Sequence, residues 1–191
     1  STTDDSTTNH STADDSTTNH TTNDDSTTNH NSTSHNSVSD INAFFPAATF
    51  TDTDNKVTFQ YNSGWTESSG FTKSDTSRAW FSAPPWNCPA ILFQKWPESE
   101  AATLKDLLPK LTSATDPTVS STSTLSNKYG ITADVIVGKF TGSDGTLLDA
   151  KYYGFKKDGF WWVMWFYQAP TLGTLDGIFA DEMFGTWQFT K

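Results

Sequence analysis

The sequence predicts an α+β fold, an α/β/α sandwich in which a central antiparallel sheet carries helices on both faces, preceded by a disordered repeat tail. Residues 1–37 contain no apolar side chain larger than Ala, whereas all 8 Trp and all 14 Phe follow them. Short alternating polar and apolar segments, separated by Gly and Asn turns, are typical of an antiparallel meander. Two further segments have apolar residues at helical spacing instead.

The tail is a decapeptide repeat. STTDDSTTNH, STADDSTTNH and TTNDDSTTNH follow one another, and NSTSHNSVSD is a degenerate fourth copy. Such a segment has almost no apolar surface to offset the entropy lost on ordering. It also holds 7 of the 22 acidic residues and no Lys or Arg, so most of the net charge of −10 belongs to it. We therefore expect a hydrated flexible spacer over 1–40 and a globular domain over 41–191.

The tail also carries candidate modification and metal sites. Asn-X-Ser/Thr sequons make N-glycosylation a prediction at Asn9, Asn19 and Asn31. Each repeat pairs two carboxylates with an imidazole, a weak ligand set for a divalent metal such as Zn²⁺ or Cu²⁺. The candidate ligands are His10, His20 and His30, and His35 is the remaining histidine of the chain. We expect no other cofactor.

Seven segments of the domain read as strands. They are bounded by turn residues such as Asn62-Ser63-Gly64 and Asp158-Gly159. A stiff loop, Pro84-Pro85-Trp86-Asn87-Cys88-Pro89, separates two of them. The predicted strands are residues 57–61, 78–82, 91–96, 119–125, 131–140, 147–155 and 160–167.

Two segments read as helices. The first is predicted to be capped by Ser99 and to be kinked or shortened by Pro109. The second is predicted to begin near Thr174 and to end near Gly185, with Phe179 on its apolar face. The apolar face of the first helix, at spacing i, i+3, i+4 and i+7, comprises Leu104, Leu107, Leu108 and Leu111.

The strand over 160–167, Phe-Trp-Trp-Val-Met-Trp-Phe-Tyr, is apolar on both faces. The favoured interpretation is a central strand with both faces covered. The alternative is an exposed aromatic face that contacts a partner through Trp161, Trp165 and Tyr167.

The order of these elements resembles that of PsbP-like (Mog1/PsbP/DUF1795) domains, including those of small secreted or surface-tethered lipoproteins. The resemblance covers roughly residues 46–191. It rests on the strand pair ending in Tyr61-Asn-Ser-Gly64-Trp65, the Leu-rich helix, the meander, and the closing Phe184-Gly-Thr-Trp-Gln-Phe189. It implies a central antiparallel sheet with helices on both sides, and an accessory or binding role. The domain has no histidine to match the metal-binding ones of photosynthetic members.

The composition disfavours several functions. Residues 41–191 hold 15 acidic and 12 basic residues without a basic cluster, so we expect no nucleic-acid partner. The absence of histidine from the domain excludes Ser-His and Cys-His nucleophile pairs there, and the lone Cys88 is predicted to be a small buried side chain. Paired carboxylates could still hydrolyse glycosides. The candidates are Asp52, Asp54, Glu98, Glu100, Asp134 and Asp149.

The leading hypothesis is a non-enzymatic extracellular or cell-surface binding or accessory module on a spacer, with a protein or cell-envelope partner. The alternatives are a self-associating structural subunit of an extracellular assembly or filament, and a carbohydrate-active hydrolase. No apolar run reaches the ~18 residues of a membrane span, so attachment to a membrane would require a lipid anchor.

Overall fold

In the computed structural model the described residues are 41–112, 117–173 and 179–191. They contain three α-helices, which are Ile41–Phe44 (α1), Leu104–Thr112 (α2) and Ala180–Gly185 (α3). They also contain ten strands, numbered β1 to β10 in chain order: Ala47–Asp52, Val57–Asn62, Thr66–Glu67, Ser77–Ser82, Ala90–Pro97, Thr118–Ser126, Thr132–Thr141, Leu147–Lys157, Phe160–Gln168 and Gln188–Phe189.

The strands form two sheets, and every pairing is antiparallel. Within the described ranges the larger sheet has seven strands in the order β3-β4-β5-β9-β8-β7-β6, and the smaller has three in the order β1-β2-β10. Strands β7, β8 and β9 are the meander that the sequence predicts, with registers Asp134↔Gly154 and Gly154↔Val163. The long connection from β5 to β6 passes through α2 and places β9 beside β5 at the centre.

Helix α2 covers one face of the larger sheet. Its four leucines, Leu104, Leu107, Leu108 and Leu111, are all buried, as the helical spacing predicts. They pack on alternate residues of the meander, among them Ile136, Tyr152, Trp161, Val163 and Trp165.

The start of α2 differs from the prediction. Residues Glu98–Glu100 form a 3-10 turn, so Ser99 caps nothing. Thr103 is the cap instead, because the Asp106 amide donates to its Oγ1 (3.3 Å) and its own amide donates to the Asp106 carboxylate (3.1 Å). The helix continues for three residues past Pro109.

The opposite face of the larger sheet is covered chiefly by the smaller sheet, which the predicted sandwich did not include. Val57 and Phe59 of β2 belong to the same buried cluster as Phe93, Trp162 and Met164 of the larger sheet. The short helices α1 and α3 complete this cluster, and the Phe184 ring of α3 stacks on Tyr153 at 4.8 Å. The fold is thus mostly β, with two antiparallel sheets and few helices.

Phe179 does not lie within a helix, although the apolar spacing predicts it on the face of the closing helix. Phe179 has left-handed backbone angles (φ 57°, ψ 43°), so the helical turns described here begin at Ala180. Its ring lies 5.0 Å from Phe44 and 5.7 Å from Phe45, which places it against α1. The predicted first turn, from Thr174 to residue 178, lies outside the described residues.

The repeat tail also lies outside the described residues. The boundary between residues 40 and 41, the glycosylation candidates Asn9, Asn19 and Asn31, and the metal candidates His10, His20 and His30 therefore stay predictions. Across the described ranges no helix is long and apolar enough to cross a bilayer.

Candidate binding groove

A groove of about 750 Å³ opens where β7 and β8 separate. Their pairing ends at Asp134↔Gly154, yet β8 continues to Lys157 beside β9 alone. Thr132, at the start of β7, pairs instead with Ser126 of β6. Residues 155–157 at the end of β8 therefore present a strand edge that β7 does not cover. We call this cleft the β7–β8 groove.

The groove is lined by the N-terminal approach to α2, the β6–β7 turn, the ends of the three central strands, and β10. Aromatic rings, hydroxyls and lysines dominate the lining, and its volume falls in the range of ligand sites. The lining residues are Ala102, Thr103, Tyr129, Gly130, Ile131, Thr132, Asp134, Gly154, Phe155, Lys156, Lys157, Trp161, Gln188 and Phe189.

Two lysines lie over aromatic rings at the groove. Lys156 Nζ is 5.0 Å from the Trp161 ring centroid, and Lys157 Nζ is 5.1 Å from that of Phe189. Lys156 also pairs with Glu98 at 3.1 Å, and Lys157 with Asp158 at 3.5 Å. These exposed pairs contribute little to stability, so both ammonium groups can turn toward a ligand at small cost.

A buried asparagine fixes the turn that forms one wall. Asn127 Oδ1 accepts hydrogen bonds from the amides of Tyr129 (3.0 Å) and Ile131 (3.1 Å). Its Nδ2 donates to the carbonyls of Phe184 (3.3 Å) and Trp187 (2.8 Å). This side chain thereby joins the β6–β7 turn to the end of α3. Its oxygen accepts two hydrogen bonds and its nitrogen donates two, so both ends of the amide are fully paired.

Close packing fixes the opposite wall. A Cβ on Gly154 would lie 2.5 Å from Leu104 Cδ1, so any larger residue there would force the buried Leu104 side chain in the first turn of α2 to move. The indole Nε1 of Trp161 donates to the carbonyl of Ala101 at 2.9 Å, which holds the segment leading into α2. Hydrogen bonds and close packing therefore hold both walls of the groove.

The three aromatics considered for partner contact do not form an exposed face. Trp165 is buried beneath α2, where its Nε1 donates to Gln94 Oε1 at 3.1 Å. Tyr167 is half-buried, and burial raises the pKa of its hydroxyl to about 12. Trp161 is buried too, although its ring forms part of the groove floor. The strand is covered on both faces, as the favoured interpretation expects.

The candidate carboxylates are mostly held in ion pairs. Glu98 pairs with Lys156, Glu100 with Lys110, and Asp149 with Lys139. Asp52 and Asp54 share Arg78 and Lys73. Asp134 is the one carboxylate among the described residues that line the groove, whereas glycoside hydrolysis uses two across a cleft.

Cys88 is half-buried, less enclosed than the sequence predicts. Burial raises the pKa of its thiol, and a hydrogen bond from the Ala169 amide to Sγ (3.1 Å) only partly opposes this. The sulfur therefore stays protonated at neutral pH and accepts a hydrogen bond that connects the loop to the residue after β9.

Sequence reasoning missed two surface features. The β7–β8 groove depends on where pairing between two strands stops, and no residue pattern encodes that point. The other feature is Trp86, the most exposed large apolar side chain of the described residues at 75%. A signal existed for it, because a Trp flanked by Pro84, Pro85 and Pro89 cannot lie in a covered strand.

Comparison with known proteins gives structural matches alone. Neither a protein-family model nor a curated protein sequence matches this chain. The solution structure of cyanobacterial PsbP (CyanoP) from Synechocystis sp. PCC 6803 is similar with a TM-score of 0.53 and 12% identity, over 75% of this chain and 92% of that one. The Ran-binding protein Mog1p from Saccharomyces cerevisiae is similar with a TM-score of 0.56 and 9% identity, over 77% and 97%.

The domain has a PsbP/Mog1-like fold. At these identities the likeness concerns the fold alone, and it agrees with the element order on which the resemblance in the sequence rests.

Proposed function

We propose that residues 41–191 are a non-enzymatic binding module that holds a polypeptide partner in the β7–β8 groove. The observation that carries this proposal is the lining of the groove, which combines an uncovered strand edge with aromatic rings and lysines. A strand edge offers main-chain hydrogen bonds to an extended peptide, and adjacent rings provide contact area for its side chains.

Two further features favour binding over catalysis. The hydroxyl of Tyr129 in the lining has a pKa raised by burial, so it is a neutral hydrogen-bonding group rather than a base. Mog1p, which shares the fold, is a Ran-binding protein, so one protein of this architecture binds another protein.

The module acts outside the cell or at its surface, displayed on residues 1–40 as a hydrophilic spacer. The support is the composition of the repeat, which suits a hydrated tether and carries sequons at Asn9, Asn19 and Asn31. Intact-mass measurement of protein isolated from its source tests the glycosylated form of this proposal. Hexose-containing mass increments that peptide N-glycosidase removes support it, and the bare polypeptide mass contradicts it.

Selection of phage-displayed random peptides on the full-length protein tests the binding function. Thr132 lies exposed in the groove, so Thr132→Trp fills the cleft, whereas Thr122→Trp adds the same ring at an exposed position of β6 outside the lining. We expect selected peptides to lose at least tenfold in affinity on Thr132→Trp and to bind Thr122→Trp normally. Selected peptides whose affinity is unchanged by Thr132→Trp would overturn the proposal. So would a selection in which no peptide is enriched.

A further inference from the structure

The end of the larger sheet opposite the groove carries three exposed apolar side chains. Trp86 in the β4–β5 loop is 75% exposed, Leu147 at the start of β8 is 49% exposed, and Leu172 just after β9 is 48% exposed. Because β4 ends, β5 begins, β8 begins and β9 ends at this side, the three residues share one end of the sheet. We call it the Trp86 end.

Trp86 is held on a fixed loop. The Ala83 amide donates to the Pro89 carbonyl (2.9 Å), which closes the base of the loop. Within it, Asn87 Oδ1 accepts from Ser82 Oγ (3.2 Å), and the Asn87 carbonyl accepts from the Tyr167 hydroxyl (3.4 Å). A large ring on a preordered loop loses little conformational entropy on binding, which is the property of an anchor residue.

The Trp86 end and the groove lie at opposite ends of the same strands. Strand β8 begins at Leu147 on the Trp86 end and finishes at Lys157 in the groove, and its 11 residues span roughly 33 Å. The two surfaces therefore cannot meet within one folded domain. A second copy of the chain can join them.

The two surfaces are complementary in chemistry. The groove offers aromatic rings and the ammonium groups of Lys156 and Lys157, and an indole face is the preferred aromatic partner of a cation. The loop over residues 83–89 carries no charged residue, so burying it leaves no unpaired charge.

The two surfaces also carry residues of opposite charge next to the Trp86 loop and the groove. Asp144, in the β7–β8 turn of the Trp86 end, is exposed, and its carboxylate accepts from the Thr146 amide at 2.9 Å. Lys128, in the turn that walls the groove, is exposed and lies 5.2 Å from the Tyr129 ring centroid. The described residues give Lys128 no ion-pair partner, so it is free to attract the opposite end of another copy.

We propose that the Trp86 end of one copy docks into the β7–β8 groove of the next, with Trp86 as the anchor and Asp144 facing Lys128. This inference rests on the proposed function in one respect, that the groove receives polypeptide. The contact uses two different surfaces, so it is heterologous: each copy keeps a free groove and a free Trp86, and copies add head to tail into a filament or a ring. The partner is therefore the chain itself.

Sedimentation velocity of the full-length protein, from micromolar to millimolar concentrations, tests the contact. We expect the mean mass of the wild type to rise past that of a dimer. Trp86→Ala and Thr132→Trp each remove one of the two surfaces, and each is expected to weaken association by about 30-fold or more, as for a hot-spot residue. The matched control is Thr122→Trp, which alters an exposed residue outside both surfaces.

A mixing experiment identifies the geometry. Trp86→Ala keeps an intact groove and Thr132→Trp keeps an intact Trp86, so an equimolar mixture of two monomeric variants is expected to give a 1:1 dimer and nothing larger. Likewise, Lys128→Glu and Asp144→Lys each weaken association, while the double variant in one chain restores it. Lys105→Glu and Asp75→Lys, at exposed positions elsewhere, are the charge controls.

A wild type that stays monomeric, or a mixture that stays monomeric, overturns the inference. Binding of the monomeric wild type to phosphatidylcholine vesicles through Trp86 would likewise overturn it, in favour of a membrane surface. Peptide selection separates the two proposals. If selected peptides need the groove but the mixture does not dimerise, only self-association fails; if neither occurs, both fail.

Discussion

The guanidinium of Arg78 binds the carboxylate of Asp52 through two hydrogen bonds, from Nε at 2.7 Å and from Nη2 at 2.9 Å. Asp52 ends β1 in the smaller sheet and Arg78 lies on β4 in the larger one, so this bidentate pair ties the two sheets together. Both side chains are buried, and Asn55 and Lys73 supply further hydrogen bonds to the same carboxylate.

We expect Asp52→Asn to lower the free energy of unfolding by about 3 kcal/mol, because it removes the buried carboxylate and leaves the buried guanidinium with the exposed Asp54 as its carboxylate partner. Asp54→Asn is the matched control. Asp54 also contacts Arg78, at 3.0 Å, but its carboxylate is exposed, so its loss is expected to cost much less than that of Asp52. Urea denaturation of both variants measures the difference, and equal costs would mean that the bidentate geometry contributes nothing.

The same pair predicts how stability depends on pH. Burial would raise the pKa of Asp52, but hydrogen bonds from Arg78, Asn55 and Lys73 outweigh it and hold this pKa far below its usual value. A carboxyl with a lowered pKa in the folded state contributes its full stabilisation above its unfolded pKa of about 3.9, and that contribution falls as the pH drops further.

Unfolding free energies measured from about pH 6 down to about pH 2.5 check this. We expect the wild type to lose stability more steeply below about pH 4 than Asp52→Asn, which has no proton to take up at this site. Parallel curves for the two proteins would show that other carboxyl groups govern acid unfolding.

The sequence predicts the local elements well, because their signals are local. The four leucines of α2 and the two-faced strand over residues 160–167 lie where their periodicities place them. The smaller sheet was missed as a separate layer, because a sheet of β1, β2 and the two-residue β10 is specified by pairing between distant segments, such as Gln188↔Thr58. Phe179 departs from the predicted helix for a similar reason: it has left-handed backbone angles, and its ring packs against Phe44 and Phe45, which are distant in sequence.

The surface features also divide into those with a local sequence signal and those that depend on distant pairing. Proline composition indicates that Trp86 lies outside any covered strand, but its neighbours at the end of the sheet depend on topology. The groove is harder still, because it exists where β7 pairs with β6 while β8 continues beside β9. Such a site is a property of register, which side-chain periodicity does not encode.

Cys88 is expected to react slowly with thiol reagents. Burial raises the pKa of its thiol, so at neutral pH the thiolate fraction is smaller than in a free cysteine. Because it is the chain's single cysteine, reaction with 5,5′-dithiobis(2-nitrobenzoic acid) reports on it alone. We expect a native rate well below that of the urea-unfolded chain. A native rate equal to or above it would instead indicate an activated thiol and reopen the question of nucleophilic chemistry.

Gly138 is expected to tolerate no side chain. A Cβ there would lie 1.9 Å from the carbonyl oxygen of Thr118, beside the register shift between Val119 and Ser121 of β6. Gly138→Ala must displace backbone and is expected to cost at least about 1–3 kcal/mol. Gly185→Ala is the matched control, because its Cβ would meet nothing within 4 Å, at the end of a helix where Ala is favoured. Thermal unfolding of both variants measures the difference in stability. A Gly138→Ala variant as stable as the wild type would show that β6 is loosely packed against β7.

Asn127 is expected to matter for both stability and binding, since one side chain supports the β6–β7 turn that walls the groove. Asn127→Ala leaves the amides of Tyr129 and Ile131 and two carbonyls near α3 without this partner, at a combined cost of about 3 kcal/mol. Asn62→Ala is the control, because that side chain accepts one hydrogen bond, from the Gly64 amide at 2.8 Å, and should cost under about 1 kcal/mol. Well below its melting temperature, where Asn127→Ala is still folded, we expect groove-selected peptides to bind it several-fold more weakly than they bind Asn62→Ala. A destabilised Asn127→Ala with unchanged peptide affinity would separate the two roles, and would show that the turn keeps its conformation without the asparagine.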